Sequence, residues 1–378
     1  QFLPLTPPDK HNSPYASPSA FAGHWGVCSS STIGDLSEES YWLDDWALFT
    51  TIEQHYPGKN WTQWPEELRN RDPVALAKWR EKIDPEIIRQ GIFQHEWLEM
   101  KNISNQMGIE LIGDLPIFVS HHSADVWSHP ELFQLDDDKL PTVVAGVPPD
   151  YFSETGQKWN TVLYNWKEHE RSGWRWWRER MARMLRLFDV VRIDHFRGFH
   201  SAWAVPREAK DGIIGVWQDG PKDKIIQQLM DVAGNEDRII AEDLGIIPQE
   251  VLDLRLRFNL RGMAILQFGF DEDFAESPHH PKNINSMQVV YTGTHDNDTT
   301  LGWWQSTDRM TKDNVLAMTG ETDDIVGSMI DLAVNCDSPL CIIPVQDIFR
   351  LDSSGRMNIP GIEKGNWQWR FQWDDLEL

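Results

Sequence analysis

Three carboxylates stand at the ends of short apolar runs that resemble strands. The runs end in Arg192-Ile-Asp-His-Phe-Arg197, Ala241-Glu-Asp-Leu-Gly245 and Thr294-His-Asp-Asn-Asp298. Side chains at the C-terminal ends of parallel barrel strands point into one pocket. Carboxylates in such a pocket are the groups that cleave glycosidic bonds. The sequence therefore predicts chemistry at a glycosidic bond, carried by Asp194, Glu242 and Asp296.

The surroundings of Asp194 and Glu242 predict different roles. Arg192 lies two residues before Asp194, so in a strand both side chains point the same way. The cation favours an ionised carboxylate, which can attack an anomeric carbon as a nucleophile. Glu242 ends the apolar run Arg238-Ile-Ile-Ala241, which favours the protonated form that a general acid needs. Asp243 faces the opposite side of the strand and is not expected in the pocket.

For Asp296 we predict a third role. Its carboxylate could hold substrate hydroxyls and favour a distorted, oxocarbenium-like sugar ring. His295 beside it can donate a hydrogen bond to a sugar hydroxyl. A structural alternative exists for each motif, because an Asp at a strand end can cap a helix or form a turn. Three such motifs at strand ends, one of them flanked by Arg192, favour the catalytic interpretation.

The sequence predicts no catalytic metal and no cofactor. The pairs His121-His122, Asp194-His195 and His295-Asp296 contain metal-ligand residue types. Adjacent residues of a strand face apart, however, and no His-Glu-x-x-His motif or matched Cys and His spacing occurs. Phosphate-binding glycine motifs are absent as well. We expect a chelator to leave activity unchanged.

Composition narrows the function further. The chain has 378 residues, a formal net charge of −24 and a pI near 4.8. Such a charge repels nucleic-acid phosphates and anionic membranes, so neither is expected as a partner. The twenty tryptophans mostly serve packing, but those in loops near the acidic motifs can stack on sugar rings. A neutral carbohydrate fits these properties.

Alternating apolar runs and helical patterns predict an α/β fold with parallel strands. The seven strand-like runs are Phe2–Leu5, Ile109–Ile112, Val190–Ile193, Arg238–Ala241, Met263–Phe268, Val289–Tyr291 and Leu340–Val345. Apolar residues recur at helical spacing in three stretches, which predicts three helices. The stretches run from Trp174 to Phe188, from Ile225 to Met230 before Gly234, and from Pro248 to Phe258.

These elements predict a (β/α)8 TIM barrel. We expect one catalytic domain over residues 1–378, with a helical insertion at 32–105 and substrate-site loops at 116–171. A closed barrel needs eight strands and only seven are found. The first strand–helix unit is therefore expected upstream of Gln1.

Eight ordered motifs over nearly the whole chain resemble the 4-α-glucanotransferases (amylomaltase or disproportionating enzyme), a glycoside hydrolase family related to the α-amylases. They are Ser13–Gly23, Gly113–Val119, Ala145–Gln157, Arg192–Gly198, Ile240–Gly245, Tyr291–Thr299, Arg356–Gly361 and Gly365–Arg370. Such a set is highly specific.

The resemblance implies a role for each matching residue. Asp194 corresponds to the nucleophile, Glu242 to the general acid/base and Asp296 to the transition-state stabiliser. The loop 148–157 corresponds to a flexible loop over the acceptor region. Substrate contacts are implied for Tyr15, Asp114, Trp159, Arg192, Phe268, His295 and Asn366.

One stretch departs from the family pattern. The family usually reads Gly-Gln-x-Trp-Gly-Asn-Pro, whereas this chain has Gly156-Gln-Lys-Trp-Asn-Thr-Val162. Loss of a glycine and a proline there predicts altered loop stiffness.

The implied reaction is a retaining double displacement that moves α-1,4-glucan segments between maltodextrins. In retaining enzymes the two principal carboxyls lie about 5–5.5 Å apart. The alternatives are an α-glucan hydrolase with the same carboxylates and a non-catalytic glucan-binding protein.

The expected partners are maltooligosaccharides and glucans derived from starch or glycogen, with the protein a monomer or small homo-oligomer. Only Cys28, Cys336 and Cys341 occur, without a Cys-x-x-Cys pair, which indicates a reducing compartment. No signal peptide or membrane span is visible. We expect a cytoplasmic protein, or a plastid one if a transit peptide precedes Gln1.

Overall fold

The computed structural model describes residues 1–149, 153–272, 274–362 and 364–372. The chain divides into two compact units, Gln1–Ile239 and Ile240–Leu378. In the described part of the first unit the helices are α1 (Leu43–His55), α2 (Glu66–Arg69), α3 (Pro73–Arg80), α4 (Asp84–Gln106), α5 (Ala124–Ser128), α6 (Trp166–Arg171), α7 (Arg175–Leu187) and α8 (Asp223–Ala233). Its strands are β1 (Ile112–Leu115), β2 (Val119–Ser120), β3 (Val143–Val147), β4 (Gln157–Val162), β5 (Val190–Ile193), β6 (Ser201–Pro206) and β7 (Val216–Asp219).

A buried parallel pair, β1 and β5, carries the first acidic motif. The register runs from Ile112 opposite Val190 to Leu115 opposite Ile193. The strand prediction at Val190–Ile193 is confirmed. The run predicted at Ile109–Ile112 forms a strand only from Ile112, because Ile109 still closes the turn after α4 by donating its backbone N–H to Ser104.

The predicted strand at Phe2–Leu5 is wrong. Its residues adopt no strand, although the backbone N–H of Phe2 donates to Ile112 at 2.9 Å. Pro4 has no N–H and so cannot continue a ladder. The carbonyl of Leu5 instead accepts from His24 at 2.8 Å.

The helical character predicted for 32–105 is confirmed, since this range holds α1 to α3 and all but the last residue of α4. That it is an insertion in a barrel stays a prediction. Its packing against α7 includes a buried ion pair, in which Arg183 lies 2.8 Å from Glu39. Gln94 of α4 accepts from the same Arg183 nitrogen at 2.6 Å.

The prediction that 116–171 is mainly loop needs correction. It contains α5, α6 and strands β2, β3 and β4, which join β6 and β7 in an antiparallel sheet of order β2-β4-β3-β6-β7. The cause is that β4, Gln-Lys-Trp-Asn-Thr-Val, is largely polar and gives no apolar run. Its strand state comes from antiparallel pairing with β2 on one side and β3 on the other.

The second unit contains a parallel three-stranded sheet. Strand β8 (Ile239–Ala241) spans the boundary and is followed by β9 (Gly262–Ile265), β10 (Gln288–Tyr291) and β11 (Cys341–Ile342), with β10 between β9 and β11. The described helices are α9 (Gln249–Arg257), α10 (Thr300–Ser306), α11 (Arg309–Thr319), α12 (Ile325–Val334) and α13 (Val345–Ile348). A cluster including Leu266, Phe270, Val315 and Met329 forms the core of this unit.

The predicted strands of this unit are confirmed in part. The run from Met263 turns into a 3-10 helix at Leu266–Phe268, and the run from Leu340 pairs only at Cys341–Ile342 because Pro344 begins the turn into α13. The helices predicted before Gly234 and after Pro248 are confirmed as α8 and α9. Closure of a (β/α)8 barrel and a single domain over 1–378 stay predictions. Among the described residues, no helix is long and apolar enough to span a bilayer.

Candidate functional site

Four sequence-predicted residues of the first unit form one contiguous network. Arg192 Nη1 lies 2.7 Å from each carboxylate oxygen of Asp114 and 3.1 Å from Oδ1 of Asp194. The Tyr15 hydroxyl donates to Asp114 Oδ2 at 2.8 Å. Arg192 and Asp114 are buried, whereas the Asp194 side chain is 27% exposed. The network therefore presents one accessible carboxylate held beside a buried cation.

The pairing of β1 with β5 creates this arrangement. Asp114 stands directly opposite Arg192 in the register, where cross-strand side chains are close neighbours. Gly113 is needed beside Asp114, because a Cβ there would lie 2.2 Å from the Phe188 ring. The backbone N–H of Asp194 donates to Leu115 at 3.0 Å, so the strand pairing continues to the carboxylate.

The chain turns sharply directly after Asp194. His195 has φ 50° and ψ 50°, in the left-handed region, and leads into a 3-10 helix at Phe196–Phe199. Its ring lies edge-on to Trp159 with centroids 4.8 Å apart. Burial, reinforced by the charge of Arg197, lowers the pKa of His195 to about 3. His195 is therefore neutral near pH 7, and the predicted sugar-stacking residue Trp159 lies against it.

Glu242 directly follows β8 and is nearly buried, at 9% exposure. The backbone N–H of Leu244 donates to Glu242 Oε1 at 2.8 Å. The neighbouring Asp243 lies 3.0 Å from Arg255 and accepts from the backbone of Met263 at 2.8 Å. Burial raises the pKa of Asp243 above its usual value, with Arg255 opposing the shift. Asp243 thus contacts protein groups, Arg255 and the backbone of Met263. The sequence predicted that it would face the opposite side of the strand from Glu242.

Asp296 lies on the loop that follows β10, with 49% of its side chain exposed. His295 Nε2 lies 3.5 Å from Asp296 Oδ1, and the His295 ring packs near Trp367 with centroids 5.7 Å apart. Asn358 Nδ2 donates to the same Oδ1 at 2.7 Å. Asn358 lies within the Arg356–Gly361 motif of the resemblance, but no role was predicted for it from the sequence.

Two further predicted contacts have clear local roles. Asn366 is buried, and its side-chain amide makes three hydrogen bonds to the backbone of Ile359 and Ile362. It holds a turn in the segment after Arg356. Phe268 ends the 3-10 helix after β9, with its ring edge-on to His279 at 5.6 Å.

Sequence reasoning also missed Asp347. This buried carboxylate accepts from the hydroxyls of Thr292 and Thr300 at 2.6 and 2.7 Å, and from the backbone of Thr300 at 2.8 Å. It ties the end of β10 to the start of α10, on either side of the Asp296 loop. An isolated Asp in a short helix gives no local signal of this function.

The histidine pair at 121–122 forms protein contacts. His121 Nε2 bonds to the carbonyl of Lys139 at 2.8 Å, and His122 Nε2 lies 2.7 Å from Glu53. No group of three His, Cys, Asp or Glu side chains within the described ranges could hold a metal ion. Residues 150–152 of the predicted acceptor loop lie outside the described residues.

Comparisons with known proteins identify the family of the chain. Residues 29–375 match glycoside hydrolase family 77, described as 4-alpha-glucanotransferase. The chain is 44% identical to a chloroplastic/amyloplastic 4-alpha-glucanotransferase of Oryza sativa, covering 88% of this chain and 56% of the relative. It is also 44% identical to the 4-alpha-glucanotransferase of Thermus thermophilus, covering 88% of this chain and 69% of the relative. The chain spans 56–60% of the length of three similar plant 4-alpha-glucanotransferases.

Solved structures give the same result. The amylomaltase of Streptococcus agalactiae in complex with acarbose superposes with a TM-score of 0.90 at 30% identity, covering 99% of this chain and 88% of the other. The amylomaltase of Corynebacterium glutamicum, with 15% identity and a TM-score of 0.73 over 97% of this chain and 65% of the other, shares the fold. The α/β fold is thus that of the amylomaltases, and the chain belongs to glycoside hydrolase family 77, the 4-alpha-glucanotransferase family.

Proposed function

We propose that the protein is a 4-α-glucanotransferase that moves α-1,4-glucan segments between maltodextrins. The observation that carries this proposal is the accessible Asp194 carboxylate held 3.1 Å from the buried Arg192, within a chain that matches the family over 29–375. A cation this close favours the ionised form of a carboxylate, and an ionised carboxylate at a strand end is suited to attack an anomeric carbon.

In the first step Glu242 gives its proton to the glycosidic oxygen. A carboxylate oxygen of Asp194 bonds to the anomeric carbon as the carbon–oxygen bond breaks. The reducing-end piece leaves with a free 4-hydroxyl, and the donor remains as a glucosyl ester of Asp194. Asp296 stabilises the oxocarbenium-like transition state through its negative charge.

In the second step the Glu242 carboxylate takes the proton of the 4-hydroxyl of an acceptor glucan. The resulting oxygen attacks the anomeric carbon, the ester bond to Asp194 breaks, and the α-linkage is restored. Transfer requires that an acceptor sugar be held better than water. Trp159 and Tyr15 are the aromatic side chains that we assign to this task.

The substrates we propose are maltooligosaccharides and glucans derived from starch or glycogen. The thiols of Cys28, Cys336 and Cys341 are free, which supports a reducing compartment, either the cytoplasm or a plastid. We propose a monomer or a small homo-oligomer with no nucleic-acid or membrane partner.

Incubation with maltotriose alone tests the proposal, with products resolved by chain length. We expect glucose together with a ladder of maltodextrins longer than maltotriose. Glucose and maltose without longer products would indicate a hydrolase with the same carboxylates. No products, with maltotriose binding retained, would indicate a non-catalytic glucan-binding protein.

A further inference from the structure

The loop that carries Asp296 fixes its own backbone by local contacts. Thr294 donates its backbone N–H and its hydroxyl to Asn297 Oδ1, each at 2.9 Å. The N–H of Asp296 then donates to the Thr294 hydroxyl oxygen at 3.3 Å. These contacts define a turn, but they leave the orientation of the Asp296 carboxylate to other residues.

A segment about sixty residues later supplies that orientation. Asn358 Nδ2 donates to Asp296 Oδ1 at 2.7 Å, while the Asn358 backbone N–H donates to the carbonyl of His295 at 3.1 Å. Arg356 donates to the carbonyl of Asp296 at 2.9 Å and to that of Asn358 at 2.8 Å. The segment thus binds residues 295 and 296 through both backbone and side chain.

We propose that Asn358 is the positioning residue for Asp296, an inference that rests on the proposed function. A hydrogen bond to one carboxylate oxygen restricts rotation of the group about the Cβ–Cγ bond. Because 49% of the Asp296 side chain is exposed, the carboxylate keeps acceptor positions for a sugar. A catalytic side chain keeps the geometry that the reaction needs when a neighbouring residue fixes its orientation by a hydrogen bond.

The chemistry of an amide suits this role. Asn donates a hydrogen bond without a charge, so it orients Asp296 without neutralising the negative charge that stabilises the transition state. The guanidinium of Arg356 donates to the backbone carbonyls of Asn358 and Asp296 rather than to the Asp296 carboxylate. His295 Nε2, at 3.5 Å from Oδ1, is too far for a strong hydrogen bond.

The first test is Asn358→Ala, assayed for maltotriose disproportionation and for maltotriose binding. We expect kcat to fall about 10- to 100-fold, the effect of a displacement of about 1 Å, while the dissociation constant changes less than about twofold. Asn105→Ala is the matched control, because Asn105 also donates from its amide to an Asp, at 3.2 Å from Asp189 on the surface. The control should keep the wild-type kcat.

Asn358→Asp is the second test, and it applies even if the alanine variant fails to fold. It keeps the shape of the side chain and replaces the amide N–H donor by a carboxylate oxygen. Two facing carboxylates share a proton readily, and the introduced carboxyl can donate to Asp296 again once it is protonated. We therefore expect the rate of Asn358→Asp, relative to wild type, to rise as the pH is lowered. A constant ratio across pH would overturn the inference.

Combination with Asp296→Asn separates this inference from the proposed function. If Asn358 acts through Asp296, Asn358→Ala should cause no further loss in the Asp296→Asn background. Two outcomes would overturn the positioning role of Asn358 alone. The first is that the losses of the two variants add in the double variant, and the second is that Asn358→Ala keeps the wild-type kcat while Asp296→Asn is inactive. Wild-type activity of Asp296→Asn would instead overturn the role of Asp296 in the proposed function.

Discussion

Arg192 donates from a single nitrogen, Nη1, to both carboxylate oxygens of Asp114 at 2.7 Å. Both side chains are almost fully buried. Asp114 therefore compensates the charge of Arg192 inside the protein, and the same nitrogen remains within 3.1 Å of Asp194. The buried pair explains how a cation can be kept beside the proposed nucleophile.

Removal of the cation should destabilise the fold. Arg192→Met leaves the Asp114 carboxylate buried without a compensating cation, which should lower the free energy of unfolding by about 3–5 kcal/mol. The control is Arg350→Met, because Arg350 pairs with Asp324 at 2.7 Å with both side chains about half exposed. That pair should contribute less than about 1 kcal/mol. Chemical denaturation of both variants measures the difference, and equal losses would contradict the compensation by Asp114.

Asp194→Asn should remove the nucleophile without removing the binding site. We expect disproportionation of maltotriose to fall by at least about 10⁴-fold, the scale seen when a group that works as part of a catalytic unit is lost. Maltotriose binding, measured by calorimetry, should persist. The control is Asp219→Asn, whose side chain is 83% exposed and pairs with Lys222. Unchanged turnover of Asp194→Asn would remove this residue from the mechanism.

Local patterns were sufficient to predict part of the fold and the proposed catalytic carboxylates. Val190–Ile193 is a run of β-branched residues interrupted only by Arg192, so its strand state is visible in sequence. The helix α8 shows apolar residues at helical spacing and ends at Gly234, whose φ of 72° is a left-handed helix end. In such elements the residues that form the structure are neighbours in sequence.

Long-range partners could not be predicted in the same way. Strand β4 is largely polar and forms by pairing with β2 and β3, while Asn358 contacts Asp296 from 62 positions away in the sequence. Nothing near Asn358 in the sequence signals a carboxylate partner. At position 160 this chain has Asn where the family has Gly, and the backbone explains the exchange. Asn160 has φ 59°, in the left-handed region that Gly adopts freely and that Asn tolerates better than most other residues.

Lys158 provides a test of how β4 supports Trp159. Its ammonium donates to the carbonyls of Arg207 and Ala209 at 2.6 and 2.8 Å, and the next residue places its ring against His195. Lys158→Met keeps the apolar stem and removes these donors, at a cost of about 1–3 kcal/mol in unfolding free energy. We expect looser placement of Trp159 and a severalfold larger share of turnover going to water.

The ratio of glucose released by hydrolysis to maltodextrin formed by transfer measures this effect. Lys224→Met is the control, since Lys224 forms an exposed ion pair with Glu170 at 2.6 Å. Lys158→Arg should recover part of the transfer, because Arg also donates hydrogen bonds to carbonyls. A wild-type ratio in Lys158→Met would show that this anchor does not influence acceptor use.

His169 should make the fold sensitive to acid. The His169 side chain is fully buried, with its ring edge-on to Tyr164 at a centroid distance of 5.2 Å and close to the rings of Trp166 and Trp176. This burial lowers the pKa of His169 from 6.5 to about 4. Between these pH values the unfolded chain binds a proton at this residue and the folded protein does not. Stability is therefore lost as the pH falls from about 6.5 to about 4, by about 3 kcal/mol from this group.

The variant His169→Phe isolates this loss, because it keeps a ring in the site and removes the titration. The free energies of unfolding of wild type and variant are measured by denaturant at a series of pH values, and the wild-type value should fall relative to the value of the variant as the pH falls. Only the wild type carries the cost of protonating the buried imidazole of His169, so its stability must fall more steeply with acid. A constant difference from pH 7 to pH 4 would contradict the buried neutral state of His169.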